Sequence, residues 1–202
     1  MTAFGEALLT RAFGEPTGLL GHLGGRLMAK GNGPTERHMI DLAGLRADNT
    51  VVLIGPGPGI GVQAAVTAGA SRVIAIDPSP IMLAACRRRC APATHDPAID
   101  LEFIEGTVAN TSLTDGAADV VISVNNIFIW PDRAAGLVEL YRILRPGGRL
   151  LVSAHEQWLP GGREGLAADV RDAGFADEQT WTWQPPGRGA RPAAQLRATR
   201  AG

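Results

Sequence analysis

At 202 residues, 45% hydrophobic and 5% aromatic, the chain suits one α/β domain with a short appendage and can bury a substantial core. A formal net charge of −1 argues against a general polyanion binder, which carries a strongly basic face. No apolar run approaches ~20 residues, and the opening MTAFGEALLTRAFGEP lacks the apolar segment of a signal peptide, so the cytoplasm is the expected compartment and no membrane partner is expected.

Residues 1–48 read as a helical N-terminal cap. GLLGHLGGRLMAKGNG carries apolar residues at helical spacing among many glycines, Asn32-Gly33-Pro34 reads as a helix start, and ERHMIDLAGL reads as a short amphipathic helix before the polar loop RADNT. From residue 51 strands and helices alternate. VVLIG is a short apolar run stopped by glycine, as in a buried strand, and GIGVQAAVTAGA is the helix after it. RVIAID is the second strand, followed by a helix capped by Ser79 with Pro80 in its first turn. That helix holds Cys86 and Cys90, four residues apart. Their spacing suits neither a disulfide nor, with His95 as a third ligand, a complete metal site, so they read as ordinary helix cysteines and no metal is expected.

DLEFIEG and ADVVISVNNIFI read as the third and fourth strands. Pro131 opens a helix through DRAAGLVELYRIL, RPGG stops it, and RLLVSAH is the fifth strand. GREGLAADVRDAGF reads as a helix ending at Gly174. EQTWTW and AQLRATR are two β-like runs across a Pro/Gly-rich loop, which suggests one antiparallel strand. Crossover units of this kind build a mostly parallel sheet with helices on both faces. Residues 49–202 are therefore expected to form one such domain, compact with the cap.

The decisive stretch runs from Val51 to Gly59, where a strand enters a glycine-rich turn that opens a helix. Glycines admit close backbone approach, and the helix N-terminus offers free N–H groups. No Lys-Ser/Thr pair follows, as a triphosphate loop requires. Glycines at 55, 57, 59 and 61 also miss the third-glycine slot of a dinucleotide fingerprint, which Ile60 or Val62 would occupy. Asp77 ends the second strand about twenty residues on, where a carboxylate can accept both hydroxyls of a ribose.

VVLIGPGPGIG, RVIAIDPSPIML and LYRILRPGGRLLVSA, in that order, resemble successive signatures of the class I S-adenosylmethionine-dependent methyltransferases, closest to the branch of the ubiquinone and menaquinone methyltransferases. The resemblance covers about residues 35–175. It implies a Rossmann-like, seven-stranded sheet, S-adenosylmethionine as cofactor and a small-molecule acceptor, with no nucleic acid partner and a homodimer left open. Gly55, Pro56, Gly57 and Gly59 would line the methionine half of the cofactor and Asp77 would hold its ribose. Pro78 and Met82 would pack near the adenine, Thr107 and Val108 would flank its other side, and Asn125 would face the sulfonium. Two positions depart from the family. It often has an acid at Leu53, which helps hold the ligand's ammonium, and an Asp at Thr107, which meets the adenine amino group.

For the acceptor side, His155 is the candidate catalytic residue, followed directly by Glu156, and Asn126 and Trp130 are candidate substrate contacts. His22 and His38 lie in a region that often lids the pocket in this family. Arg87-Arg88-Arg89 reads as a solvated helix face, and the four arginines after Glu178 (188, 191, 197 and 200) as a small surface excess. Two other readings stay open: a methyltransferase fold with weak or repurposed cofactor use, and a nicotinamide-dependent oxidoreductase.

Overall fold

The computed structural model describes residues 32–187 and 189–202. His22, Arg188 and the apolar stretch ahead of residue 32 lie outside the described residues.

The order of elements follows from the alternation of apolar runs. Helix α1 (residues 32–43) leads into β1 (Thr50–Ile54), α2 (Ile60–Thr67), β2 (Arg72–Asp77), α3 (Pro80–Cys90) and β3 (Asp100–Glu105). Then come β4 (Ala118–Val124), α4 (Arg133–Ile143), β5 (Leu144–His155), α5 (Gly162–Asp172), β6 (Phe175–Trp183) and β7 (Ala193–Arg200). The strands form one seven-stranded sheet in the order β3-β2-β1-β4-β5-β7-β6. The first five run parallel, and β7 is antiparallel to both β5 and β6. The expected hairpin therefore supplies the one reversed strand.

Alternation along each strand sends side chains to two cores. Val52, Ile54, Val121, Leu150 and Val152 face α4 and α5, packing with Leu137, Leu140, Leu166 and Val170. Val51, Leu53, Ile122 and Leu151 face the other way, onto Met39, Ile40, Val62, Ala65, Cys86 and Cys90 of α1, α2 and α3. The α1 helix is thus part of a core, not an ornament on it. Cys86 and Cys90 are free thiols buried there. Strand order reverses between β1 and β4, and ligand crevices in such sheets open at the carboxyl ends of the strands at that point.

Three local expectations change. β4 ends at Val124, because Asn125 takes a left-handed φ of 56° and Ile127–Ile129 form a 3-10 turn in place of continued strand. β5 begins at Leu144 and runs through the RPGG segment, its pairing to β4 shifting before Arg149; Pro146 cannot donate to a ladder and sits in this irregular stretch. Pro131 lies outside α4, whose N-cap is Asp132, its carboxylate accepting from the Ala135 N–H at 2.9 Å. Among the described residues no helix is long and apolar enough to cross a membrane.

Candidate functional site

The turn between β1 and α2 is built from alternating constraints. Gly55, Gly57 and Gly59 adopt φ of 58°, 52° and 84°, in the left-handed region that penalises a side chain by about 1–2 kcal/mol per residue. Pro56 and Pro58, between them, hold φ near −65°. The Gly55 N–H donates to the Ile76 carbonyl at 2.8 Å, pinning the turn to β2.

The three glycines face different surroundings. A Cβ on Gly55 would press into the Asn126 carboxamide, and one on Gly59 would overlap Cys86 of α3. Of the three, only Gly57 meets open space among the described residues. Gly57 is the point where a ligand can approach the backbone, while its two neighbours are glycines so that protein can pack against the turn.

Asp77 is buried at the end of β2. Its Oδ2 accepts from the Gly57 N–H at 3.2 Å and its Oδ1 from the Ser79 N–H at 2.9 Å, joining the glycine turn to the start of α3. Burial pushes its carboxyl up to about 6, and those two backbone bonds hold it lower than burial alone would. An ionised carboxylate offers about four acceptor sites, so capacity for further donors remains. Ser79 caps α3 as expected, its Oγ accepting from the Met82 N–H at 3.4 Å.

The N-terminus of α2 brings in a residue that no motif singled out. The α2 N-cap, Gly59, has no side chain to offer, and its first turn carries no acid. The vacancy is filled from α1, where Glu36 Oε2 accepts from the Gly61 N–H at 2.5 Å. Burial raises the Glu36 carboxyl to about 7, against the Gly61 bond and the attraction of Arg89 and Arg37. Glu36, Ile40, Leu53, Gly55, Pro56 and Val124 are among the residues lining a small, partly open cleft beside the turn. The pattern did hold a signal for Glu36: it precedes Met39, Ile40 and Ala43 by three, four and seven residues, so a helix must carry it on its buried face.

Beyond the cleft, Asn126 is committed to the fold. Its Nδ2 donates to the Ile54 carbonyl at 2.7 Å, and its Oδ1 accepts from Ser123 Oγ at 2.6 Å and Trp130 Nε1 at 2.9 Å. The half-buried Trp130 is held in place by that bond. Asn125 Nδ2 donates to Asn32 Oδ1 at 2.9 Å, tying α1 to the end of β4, while its own buried Oδ1 has no partner among the described residues. Met82 is buried and Pro78 exposed. Thr107 is exposed on a tight turn with Asn110, whereas Val108 is buried against Gly136 of α4.

His155 ends β5 with its ring edge-on to Trp158 at 4.9 Å, and Trp158 meets Phe128 at 5.0 Å. Its buried Nδ1 has no partner among the described residues. Burial, with Arg191 adding to it, lowers its affinity for a proton below that of an ordinary histidine. Glu156 pairs with Arg163 at 3.3 Å. His38 lies elsewhere, stacked on Trp183 at 4.1 Å with Nε2 3.2 Å from Gln195 Oε1. The Arg87–Arg89 run is more than a solvated face, because Arg89 Nε donates to the Pro58 carbonyl of the glycine turn at 2.8 Å.

Comparison with known proteins is consistent with this geometry. Residues 52–152 match the profile of the methyltransferase domain family. An uncharacterized methyltransferase of Bacillus subtilis, YdaC, is 29% identical over 164 residues, covering 77% of this chain and 87% of that protein. The demethylmenaquinone methyltransferase of Thermus thermophilus is 31% identical over 118 residues, 58% of this chain and 52% of that enzyme. Among solved structures, a chain from the Haloferax volcanii complex of the Trm112 methyltransferase activator with a methyltransferase superposes with a TM-score of 0.71 at 20% identity, covering 88% of this chain and 94% of that one. Phosphoethanolamine N-methyltransferase 2 of Haemonchus contortus, solved with S-adenosylhomocysteine, gives 0.70 at 16% identity over 83% of this chain and 52% of that one.

Proposed function

The chain belongs to the methyltransferase domain family, as a class I S-adenosylmethionine-dependent member, and on that premise we propose that it methylates a small-molecule acceptor. The observation that carries the cofactor assignment is the pairing of an open backbone at Gly57 with the buried Asp77 carboxylate 3.2 Å from its N–H. The residues present fit the group, since Gly57 leaves the space a Cβ would fill and Asp77 retains acceptor capacity for two ribose hydroxyls. Met82 and Val108 offer apolar surface for the adenine.

The cofactor supplies a methyl group already activated by its sulfonium. What remains for the protein is to hold an acceptor in line at ~3–3.5 Å and to exclude water. His155 is assigned the proton of an acceptor that must lose one. Its lowered proton affinity leaves it neutral and able to accept near neutral pH. Asn126 acts by holding Trp130 and the β1–β4 junction. The small-acceptor reading is supported by the aromatic side chains Phe128, Trp130 and Trp158 near the ends of β4 and β5, which suit an apolar or aromatic molecule.

Two measurements test the proposal. Calorimetry is expected to show binding of S-adenosylhomocysteine and none of NAD. Label from methyl-labelled S-adenosylmethionine, incubated with separated small-molecule, protein and nucleic-acid fractions, is expected in the small molecules; label confined to macromolecules would reject the acceptor class.

A further inference from the structure

The glycine turn is held by two buried carboxylates, Asp77 at residue 57 and Glu36 at residue 61. Asp77 has a role in the reading above and Glu36 has none. We propose that Glu36 is the counter-ion for the amino group of the bound cofactor, so that the N-terminal helix, rather than β1, supplies the charge at that end of the cleft. This rests on the cofactor reading of the preceding section.

Four observations carry it. Glu36 is 9% exposed and lines the cleft that also touches Gly55 and Pro56. Among the described residues it is the single charged one lining that cleft. No described ion pair includes it: Arg37 of α1 and Arg89 of α3 attract it from a distance, Arg89 being bound through Nε to the Pro58 carbonyl. From β1, Leu53 packs against the same glycine: a Cβ on Gly61 would meet Leu53 at 2.9 Å and the Glu36 carboxylate at 3.1 Å. An apolar strand residue and an acid reaching in from a helix thus share one spot. A carboxylate taken out of water is stabilised by a cation placed against it. The amino group is the ligand's cation at the end away from the ribose, which Asp77 holds.

A purely structural role exists for Glu36, as the acceptor for the free N–H of α2. Glu36→Gln separates the two, because the amide oxygen still accepts from Gly61 while the charge is gone. The probes are S-adenosylhomocysteine and its deamino analogue, which keeps the carboxylate. By calorimetry the native protein is expected to prefer S-adenosylhomocysteine, and Glu36→Gln to lose roughly 10- to 100-fold in affinity for it with little change for the analogue. Between pH 6 and 7 binding of S-adenosylhomocysteine by the native protein should release a proton, seen as an enthalpy that depends on the buffer, as Glu36 ionises against the ligand. Arg37, Arg89 and the Cys86 thiol are the other groups within its field. If Glu36→Gln does not fold, the native protein's preference between the two ligands and its proton release decide the matter alone. Equal affinity of native and Glu36→Gln proteins for S-adenosylhomocysteine, or no native preference for it over the analogue, reduces Glu36 to a helix cap and leaves the cofactor reading intact. A native protein that binds neither ligand overturns both.

Discussion

Asp77 and Gly57 stand at the ends of different strand–turn units, yet the carboxylate of one accepts from the N–H of the other at 3.2 Å. The same carboxylate accepts from Ser79, so one buried side chain fixes where the turn after β1 lies relative to the helix after β2. Replacing it with alanine removes the acceptors proposed for the ribose and that tether together. Asp77→Ala is expected to weaken S-adenosylhomocysteine binding at least about tenfold, since each charge-assisted bond contributes about 1.5–3 kcal/mol. Calorimetry showing unchanged affinity would remove the ribose assignment.

The glycines of the turn should not respond alike. Gly57→Ala keeps stability within about 1–2 kcal/mol of native, the strain of a left-handed residue, while its methyl intrudes on the ligand's space and affinity falls. Gly59→Ala carries the same strain and adds overlap with Cys86, so its stability loss should be larger, about 3 kcal/mol. Urea denaturation beside calorimetry gives both quantities; the reverse order of stability would mean α3 does not pack against the turn as described.

The pH dependence of stability carries the mark of the buried acids. Glu36 binds its proton more tightly folded, at about 7, than unfolded, at 4.5. Between those values the folded state holds more protons, so its contribution to stability falls as pH rises from 4.5 to about 7, by about 3 kcal/mol at most. Asp77 acts in the same direction between 3.8 and about 6, and His155 opposes them. The difference curve against Glu36→Gln isolates one acid. The ligand-free variant should match native stability near pH 4.5 and exceed it at pH 8. A difference that does not change with pH would show that Glu36 is not buried as a carboxylate.

An acid at position 53 is the obvious way to restore what the family often has there. The structure predicts that it fails. Leu53 is 5% exposed among Val51, Val62 and Ile122, beside the Glu36 carboxylate. Leu53→Asp would bury a second acid against the first and is expected to cost about 3 kcal/mol or more, with no gain in affinity. Leu53→Asp combined with Glu36→Gln should recover part of the affinity. Melting temperature and S-adenosylhomocysteine affinity measured together check both variants; a stable single variant with tighter binding would show that the two positions do not share one site.

Patterns local in the chain were legible without coordinates. The Val51–Ile54 run, alternating Gly and Pro through residue 59, Asp77 at a strand end and Ser79-Pro80 at a helix start each specify backbone geometry through their own side chains, so the sheet, its one reversed strand and the glycine-rich turn could be read in order. Where β4 stops was not legible, because Ile127-Phe128-Ile129 is as apolar as strand and only the left-handed Asn125, with Asn126 bonded back to Ile54, bends the chain away. Nor was the division of labour among the glycines, which depends on Asn126 and Cys86 arriving from distant segments. Glu36 shows the difference most sharply. Sequence periodicity places it on the inner face of α1, but only the packing of that helix against Leu53 and Gly61 turns a buried acid into a charge lining the cleft, since burial and neighbouring charge are set by contacts between residues far apart in the chain.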